Sequence, residues 1–412
     1  MASPMSFSLK VWYNKSGVDT MQNPCKIILK PKEEIRIVQG HPWVFNNEID
    51  QIQGDIKSGE IAYVYSSKNV FVGKGFLNTS SKIFVRVLSR DENEVIDTLF
   101  FKNIIEKSNQ SRRDLGYEDS YRVLFGEADG IPGLIVDKYG DFLSIQILSL
   151  GIDQRKEMFI KLLVDLFKPK GIYERSDVPV RKKEGLPLFK GVVYGEVPAT
   201  VRIKENNLWM DIDIINGQKT GSFLDQADNH EAIKPYVKDK TVLDCFSHIG
   251  GFGLHAAYYD AKSVTCLDIS EHAVEQIKHN ASLNQLHQVT AEKADVFEAL
   301  RLYQKQNTTF DVVVLDPPAF AKKNDDIKKA YQGYKEINLQ ALKIINPDGY
   351  LISCSCSHYM TPALFMDMLM EASQDAKKIT QMVEFRIQSK DHPALFGSDE
   401  SLYLKCITLR VK

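Results

Sequence analysis

The feature that most constrains the fold is an apolar run, a glycine bend and a helix-like segment between residues 241 and 259 (TVLDCFSHIGGFGLHAAYY). This order predicts a buried parallel strand, a tight turn, and a helix whose N-terminus faces the edge of the sheet. Glycines at the bend would let a ligand approach the backbone, and the first helical turn offers free N–H groups. An ordinary βα turn would look the same, so the rest of the chain must decide. The residues that would contact a ligand here are Asp244, Phe246, Gly250 and Gly251.

Strand-like and helix-like segments alternate after this stretch, which predicts a parallel sheet with crossover helices, an α/β fold. Two strand-like segments with no helix between them, 377–388 and 401–412, end the chain and predict an antiparallel pair. A parallel sheet closed by such a hairpin is the plan of the Rossmann-like S-adenosylmethionine (SAM) methyltransferases, whereas dinucleotide dehydrogenases usually lack the hairpin. The strands of the parallel part are predicted near 241–246, 263–268, 288–293, 310–315 and 349–355.

The length of 412 residues is more than one core usually holds, so several domains are expected. Short β-like runs with glycine punctuation follow one another closely after residue 25, and they predict a compact β-barrel or sandwich. Mixed helix-like and strand-like segments come next. The predicted organisation is an N-terminal extension (1–25), a small β-barrel (26–97), a central α+β domain (98–205) and the α/β domain (206–412).

Charge balance and cysteine usage argue against several classes of protein. The formal net charge of −2 gives no global basic character, so any nucleic-acid surface must be local. The six cysteines are too sparse for a disulfide scaffold, and no C-x-x-C or H-E-x-x-H spacing occurs, so no metal site is predicted. No signal-peptide pattern begins the chain and no apolar stretch could cross a bilayer. These features predict a cytoplasmic protein without a membrane partner.

The β module carries a candidate RNA surface. Trp43 and Phe45 could supply aromatic faces, and Lys82, Arg86 and Arg90 the basic groups that accompany them. Lys82 and Arg86 are therefore candidate substrate-binding residues. Burial of both aromatic rings in the core is the more common role for such residues.

Acidic residues end two strands of the predicted α/β domain. Asp268 is placed to accept both ribose hydroxyls of a nucleoside, as an acidic residue does in dinucleotide folds. Helix capping is the alternative, and it explains Ser270 better than Asp268. Asp295 could accept a hydrogen bond from an adenine amine, although a capping role explains it nearly as well. The candidate site also includes the residues that follow these two acids, Ile269 and Val296.

The strand-like run FDVVVL is followed by Asp316, Pro317 and Pro318. Two prolines stiffen the chain where it leaves the strand and would point Asp316 and the nearby carbonyl groups at the cleft. Phe320 follows and could stack on a flipped base. Two consecutive prolines rarely follow a central strand by chance, so this motif favours a substrate site.

The next strand ends with two cysteines, Cys354 and Cys356. A cysteine at a strand end is usually a small buried apolar residue. A functional alternative exists because C5 of a pyrimidine is a poor nucleophile until a thiolate adds to C6, and methylation at C5 therefore needs covalent catalysis. Since the two cysteines are two residues apart, they would face the same side of a continuing strand, and the pattern does not separate them.

Several long motifs, in order, resemble the RlmI-type large-subunit rRNA methyltransferases, a PUA-domain-containing family of class I SAM-dependent RNA methyltransferases. The resemblance covers nearly the whole chain and implies PUA-like, central and methyltransferase domains. Residues 217–230 are similar to the signature G-x-K-T-G-[FY]-[FY]-L-D-Q-R, with Ala227 and His230 standing where that family has arginine. The motifs are GHPWVF (40–45), EADGIPGLIVDKYGD (127–141), GIYERSD (171–177), GQKTGSFLDQADNH (217–230), FSHIGGFGLHAA (246–257) and DPPAFAK (316–322).

The resemblance implies that the protein forms 5-methylcytosine in 23S rRNA, or in a precursor of the large subunit, with SAM as methyl donor. It implies that Cys356 is the nucleophile, with Asp316 or the Pro317 carbonyl group steadying the base. Asp225 and Gln226 would bind SAM, and Lys219 would contact SAM or the RNA. A homodimer is a further possibility. The low pKa that a reactive cysteine requires is expected of Cys356. His358 is within reach of the ring, but the base that removes the C5 proton is not identified.

Three alternatives stay open. A DPP motif followed by an aromatic residue also suits methyl transfer to a ring or exocyclic nitrogen, for example of guanine, which needs no cysteine. An RNA-binding assembly factor that keeps the fold without turnover is the second alternative, and intact Asp268, Asp316 and Cys356 argue against it. A nicotinamide dehydrogenase is the most distant, because the bend lacks G-x-G-x-x-G.

Overall fold

The computed structural model describes residues 23–320 and 326–412. Most of the predicted N-terminal extension, residues 1–22, lies outside the described part, as do residues 321–325. A six-stranded sheet with the order β2-β6-β5-β4-β1-β3 follows. Its core is formed by small aliphatic side chains such as Ile27, Val44 and Val85. The elements are β1 (Lys26–Leu29), α1 (Glu34–Val38), β2 (Trp43–Phe45), β3 (Ile49–Gln53), β4 (Ile61–Tyr65), β5 (Phe71–Leu77) and β6 (Ile83–Ser89).

The central part of the chain is a five-stranded sheet with the order β11-β10-β9-β8-β7 and two long helices. Asp97 caps the first by accepting a hydrogen bond from the Phe100 N–H group at 2.9 Å. The elements are α2 (Thr98–Asp114), β7 (Ser120–Phe125), β8 (Leu134–Tyr139), β9 (Phe142–Ile147), α3 (Leu150–Asp153), α4 (Lys156–Phe167), β10 (Gly171–Ser176), α5 (Val180–Lys183) and β11 (Phe189–Gly195).

The C-terminal part begins with a two-stranded hairpin and two short helices, and it continues as alternating strands and helices. The hairpin is β12 (Val201–Glu205) and β13 (Leu208–Ile212), followed by α6 (Ala227–Ala232) and α7 (Lys234–Val237). The remaining elements are β14 (Thr241–Cys245), α8 (Gly251–Tyr258), β15 (Ser263–Asp268), α9 (Glu271–Leu283), β16 (Val289–Lys293), α10 (Val296–Lys305), β17 (Phe310–Leu315), α11 (Ile327–Lys343), β18 (Ile345–Ser355), α12 (Pro362–Asp375), β19 (Thr380–Arg386) and β20 (Lys405–Val411).

The seven strands β14 to β20 form one sheet with the order β16-β15-β14-β17-β18-β20-β19. The first five are parallel, and β20 runs antiparallel between β18 and β19. The predicted α/β plan with a closing antiparallel pair is therefore confirmed. β14 and β17 are the central strands, and the chain reverses its direction of winding there. The carboxyl ends of such strands form the crevice in which ligands of open α/β sheets bind.

Buried ion pairs join the three parts of the chain. Arg86 of β6 lies 2.8 Å from Glu127 and 2.9 Å from Glu184, both in the central part. The Asp391 carboxylate accepts a hydrogen bond from the Arg122 N–H group at 2.7 Å, which ties the central sheet to the C-terminal part. Whether the domain boundaries fall at 97 and 205 stays a prediction. Among the described helices, none is long and apolar enough to cross a membrane.

Candidate active site

A cavity of about 350 Å³ lies at the carboxyl ends of the parallel strands. Its size is within the usual range of small-molecule sites. Most of the residues predicted from the sequence to bind a ligand line this one cavity. They are Lys219, Asp225, Gln226, Asp244, Phe246, Gly251, Asp268, Ile269, Asp295, Val296, Asp316, Pro317, Pro318 and Cys356.

The bend after β14 has an unusual backbone. Phe246 and His248 both have positive φ angles, 63° and 51°, which non-glycine residues rarely adopt. Gly250 follows with φ 91° and precedes helix α8. Backbone of this kind costs energy and is concentrated at functional sites. Gly250 itself does not line the cavity, and its role is to turn the chain so that Gly251 does.

Asp244 is buried at the end of β14 beneath this bend. Its Oδ2 atom accepts a hydrogen bond from the Gly253 N–H group at 2.9 Å. Its Oδ1 atom is buried and has no hydrogen-bond partner among the described residues. Burial raises the pKa of Asp244 to about 7. A buried carboxylate oxygen without a donor is costly, so the cavity offers one acceptor that a ligand could satisfy.

The two acids at the neighbouring strand ends differ in their bonding. Asp268 accepts hydrogen bonds from the His248 N–H and Ser270 N–H groups, each at 2.9 Å, and Ser270 rather than Asp268 caps helix α9. Asp295 caps helix α10, because its side chain accepts from the Glu298 N–H group at 3.2 Å. The capping alternative is therefore wrong for Asp268 and right for Asp295. Since Asp295 also lines the cavity, its capping role does not remove it from the site.

The predicted residues Lys219 and Asp225 form an ion pair at the cavity wall. The Lys219 ammonium lies 2.5 Å from Asp225 Oδ2, which also accepts a hydrogen bond from the Tyr403 hydroxyl at 2.6 Å. Burial alone would raise the pKa of Asp225, but the Lys219 charge holds it well below its usual range. Lys219 has a φ of 51°, so the loop that carries it is also strained. Gln226 is the next residue, and its side-chain amide lowers the pKa of Asp316 against the effect of burial.

Asp316 and Cys356 directly follow the adjacent strands β17 and β18, and both line the same cavity. Burial raises the pKa of Asp316 to about 6. Burial and the nearby Asp316 charge raise the pKa of the Cys356 thiol, whereas the ammonium groups of Lys219 and Lys405 lower it. The net shift is upward, so the low thiol pKa expected from the sequence is wrong for the protein without ligands. Burial lowers the pKa of Lys405 to about 8.

Cys354 differs from Cys356 in its surroundings. The Cys354 side chain is fully buried in the main core and pairs across the sheet with Cys406. Strand β18 ends at Ser355, so Cys356 is the first residue after the strand. Its side chain lines the cavity. Burial raises the pKa of Cys354 well above its ordinary value. Of the two cysteines that the sequence did not separate, Cys356 lines the cavity and Cys354 does not.

A buried cluster that the sequence did not predict forms another wall of the cavity. His230 Nδ1 lies 2.7 Å from Glu205 Oε1. His255 donates from Nδ1 to the Gly251 carbonyl oxygen at 2.7 Å, and its Nε2 atom is 3.3 Å from the Asn206 amide nitrogen. One ring nitrogen of each histidine and a carboxylate oxygen of Glu205 lie within 4.8 Å of one another, close enough for a metal site. Hydrogen bonds within the protein already occupy most of the possible metal-binding atoms. The sequence feature that pointed to this cluster was His230, which stands where the family that the chain resembles has arginine.

Three candidate substrate residues lie away from the cavity. The assignment of Arg86 to RNA is wrong, because its guanidinium is buried between Glu127 and Glu184. Trp43 donates from its indole N–H group to the same Glu127, so it too has a structural role. Lys82 is exposed, which leaves its predicted contact with RNA untested. Phe320 is half-buried against Tyr334, with ring centroids 4.6 Å apart, and it does not line the cavity with Pro318.

The fold and the row of acidic strand ends define a Rossmann-like SAM-dependent methyltransferase preceded by a PUA-like domain. The family described as PUA-like domain matches residues 27–90, and the family described as conserved hypothetical protein 95 matches residues 226–380. A SAM-dependent methyltransferase from Streptococcus mutans has the same fold, with a TM-score of 0.79 at 20% identity over 94% of this chain and 100% of its own. A second solved structure of that fold with the same TM-score, identity and coverage is a complex with S-adenosylhomocysteine (SAH).

Two curated relatives establish the family. Ribosomal RNA large subunit methyltransferase I of Aliivibrio fischeri is 41% identical over 377 residues, which cover 90% of this chain and 95% of the relative. The protein of the same name from Klebsiella pneumoniae is 39% identical over 392 residues, covering 94% and 98%. The chain therefore belongs to the ribosomal RNA large subunit methyltransferase I family.

Proposed function

We propose that this protein is a SAM-dependent methyltransferase that forms 5-methylcytosine in 23S rRNA of the large ribosomal subunit. The observation that carries this proposal is the position of Cys356 on the wall of the cavity, beside Asp316. Membership of the large-subunit rRNA methyltransferase family supports the substrate class. A cysteine at this position is needed for methylation at C5, because the ring carbon must first be activated by nucleophilic addition at C6.

The residues around the cavity fit SAM. Asp268 is the partner for the ribose hydroxyls, and Asp295 with Val296 lies where the adenine would be bound. Phe246, Gly251 and the exposed side chain of Ile269 complete the nucleoside side of the cavity. The unpartnered Oδ1 atom of Asp244 is an acceptor for the ammonium group of the methionine arm. When bound, SAM supplies an electrophilic methyl group.

The chain's own residues account for activation of the base. Cys356 adds as thiolate to C6 of the cytosine, a bond forms between sulfur and C6, and electron density moves to C5. Asp316 hydrogen-bonds to N3 or the exocyclic amine and steadies the ring as its charge changes. After C5 has gained the methyl group, loss of the C5 proton lets the bond between sulfur and C6 break, which returns Cys356. Because the pKa of the Cys356 thiol is shifted upward, positive charge added to that of Lys219 and Lys405 would favour thiolate formation.

The RNA is proposed to reach the cavity past Pro317, Pro318 and Lys219, with Phe320 available for stacking if its side chain leaves Tyr334. Exposed Lys82 of the PUA-like domain is proposed as a phosphate contact. A cytoplasmic location follows from the proposed substrate, and a homodimer is proposed as the assembly. Light scattering of the purified chain would give one or two protomers and so test the assembly.

A 5-fluorocytosine RNA tests the covalent step. Fluorine at C5 cannot leave as a proton does, so the bond between Cys356 and C6 should persist as a protein–RNA adduct that survives denaturing gel electrophoresis. Cys356→Ala should abolish both the adduct and methylation while it binds SAH as tightly as the wild type. Cys354→Ala is the matched control and should still form the adduct. An active Cys356→Ala enzyme would refute the covalent mechanism.

Methylation of a base nitrogen is the second candidate function. It is favoured by the position of Asp316, Pro317 and Pro318 at the cavity, since such a motif can bind an amine without help from a cysteine. Turnover by Cys356→Ala, with no adduct on 5-fluorocytosine RNA, would favour this candidate. Mass spectrometry of nucleosides from the methylated RNA separates the two products directly.

A further inference from the structure

The wall formed by Glu205, His230 and Gly251 contains a buried charge that the proposed mechanism does not use. His230 is 7% exposed, and its Nδ1 atom is bonded to Glu205 at 2.7 Å. Glu205 is itself buried at the end of β12. A buried carboxylate needs a donor, and the His230 imidazolium supplies it. The Glu205 charge also raises the pKa of His230 against the effect of burial, which favours the imidazolium with a second N–H group at Nε2.

The other nitrogen of His230 has no such partner. Within residues 23–320 and 326–412, no protein group accepts a hydrogen bond from His230 Nε2. The ring edge that carries Nε2 lies over the first turn of α8, where a Cβ atom built on Gly251 would be 2.5 Å from Nε2. Both His230 and Gly251 line the cavity. The imidazolium therefore presents one free N–H donor at the cavity wall.

An unpartnered acceptor lies on the same cavity. Asp244 Oδ1 is buried without a hydrogen-bond partner in the described part of the chain. A free cationic donor and a free carboxylate acceptor that line the same cavity match the two charged groups of an α-amino acid. SAM ends in such a group, whereas the adenosine side of the cavity has its own acidic residues. The groups whose charge acts on His230 are Glu205 of β12, Asp244 of β14, His255 of α8, Asp316 after β17 and His248 of the bend.

Resting on the proposed function, we propose that His230, held by Glu205, binds the carboxylate of the methionine arm of SAM, while Asp244 binds its ammonium group. Because the cation is a histidine, the affinity for this arm depends on pH. Binding through His230 is present while the imidazolium keeps its proton and is lost as pH rises through its pKa, which the Glu205 charge raises against the effect of burial. Asp244 acts in the opposite direction, since its pKa of about 7 makes it a better acceptor at higher pH.

Calorimetry with two ligands isolates His230. SAH carries the amino-acid arm, and 5′-methylthioadenosine carries the same nucleoside without it. His230→Gln should weaken SAH binding about tenfold or more at pH 6.5, the size expected of a charge-assisted hydrogen bond, and leave 5′-methylthioadenosine binding unchanged. The ratio of the SAH Kd values of His230→Gln and wild type should fall toward one at pH 9.5. Titration of the SAH ammonium affects both proteins and cancels in this ratio, and Asp244, with a pKa of about 7, is ionised at pH 9.5.

Two further variants keep the test decisive. His230→Arg supplies a permanent cation and should bind SAH at pH 9.5 more tightly than wild type does. Glu205→Gln removes the counter-charge, so its SAH affinity should begin to fall at a lower pH than that of wild type. Equal SAH affinity of His230→Gln and wild type at pH 6.5 would overturn the inference, as would an equal loss of 5′-methylthioadenosine affinity. If wild type bound neither ligand, the proposed function itself would fail.

Discussion

At the scale of single residues, the reactivity of Cys356 depends on the charges around it. Asp316 and Asp225 raise the pKa of its thiol in addition to burial, and two lysines lower it. The protein without ligands therefore holds the thiol protonated at neutral pH. A protonated thiol is protected from adventitious oxidation, and we expect positive charge that enters the cavity to favour the thiolate.

Alkylation of Cys356 tests this coupling. Asp316→Asn removes a negative charge that raises the thiol pKa, so more thiolate forms and iodoacetamide should label Cys356 severalfold faster at pH 8. Asp295→Asn is the matched control, because it removes a carboxylate from the same cavity that does not act on the thiol, and asparagine caps helix α10 equally well. Labelling is followed by mass spectrometry of the Cys356 peptide. Equal rates in Asp316→Asn and Asp295→Asn would contradict the role given to Asp316.

SAH and SAM provide a second test on the same residue. The two ligands differ by one methyl group and one positive charge on sulfur. SAM should therefore lower the thiol pKa and speed alkylation relative to SAH, even though its extra methyl group occupies space in the cavity. A slower reaction with SAM than with SAH, measured at saturation with each ligand, would show that thiolate formation does not depend on that charge.

At the scale of elements, the sequence predicted the α/β domain well, because its central strands are apolar and acidic residues stand at or near their carboxyl ends. Asp244 and Asp268 lie within the last two residues of β14 and β15, Asp295 lies two residues beyond β16, and Asp316 directly follows β17, so each is a local signal. The wall containing Glu205 and His230 was missed because it joins a strand end to a helix 25 residues away. Pairing of this kind depends on tertiary structure, so the spacing of residues in the sequence does not predict it.

Arg86 was misassigned for the same reason: its partners are distant in the sequence, so its pairing depends on tertiary structure. The alternation of apolar and polar residues along β6 does not show that Glu127 and Glu184, from the central part of the chain, form ion pairs with Arg86 on this strand. A basic residue near aromatic residues therefore resembles an RNA contact in the sequence, although it is a buried link between two sheets. Exposed Lys82 forms no ion pair with the described residues, and the sequence alone could not tell the two basic residues apart.

Substitution of Arg86 tests whether this residue stabilises the fold, in contrast to the exposed Lys82. Arg86→Met leaves Glu184 buried without its counter-charge and should lower the free energy of unfolding by about 3–5 kcal/mol. Lys82→Ala removes an exposed side chain and should change it by no more than about 0.5 kcal/mol. Urea unfolding followed by circular dichroism measures both changes. A loss of less than about 1 kcal/mol in Arg86→Met would mean that the ion pairs do not hold the two sheets together.

At the scale of the whole molecule, buried polar contacts connect all three parts of the chain to the cavity. Arg86 joins the first sheet to the second, and Asp391 accepts from the Arg122 N–H group. The Arg112 guanidinium donates to the Asp391 carbonyl oxygen at 2.9 Å. The segment after β19 that carries Asp391 also reaches Asp225, because the Ser389 N–H group donates to the Asp225 carbonyl oxygen at 2.8 Å. A ligand in the cavity should therefore stabilise parts of the chain that it does not touch.

Hydrogen exchange with and without SAH tests this connection. At 100 times its Kd, SAH stabilises the folded protein by about 2.7 kcal/mol, so amides that exchange only on global unfolding should slow about 100-fold. We expect this slowing in strand β5 of the first sheet as well as in β17 at the cavity. Asp391→Ala removes the acceptor of the Arg122 N–H group and should confine the slowing to the C-terminal part. Asp375→Ala, at an exposed ion pair with Lys335, should leave it unchanged. Slowing of β5 in Asp391→Ala equal to that in wild type would mean that the coupling between the sheets does not depend on this contact.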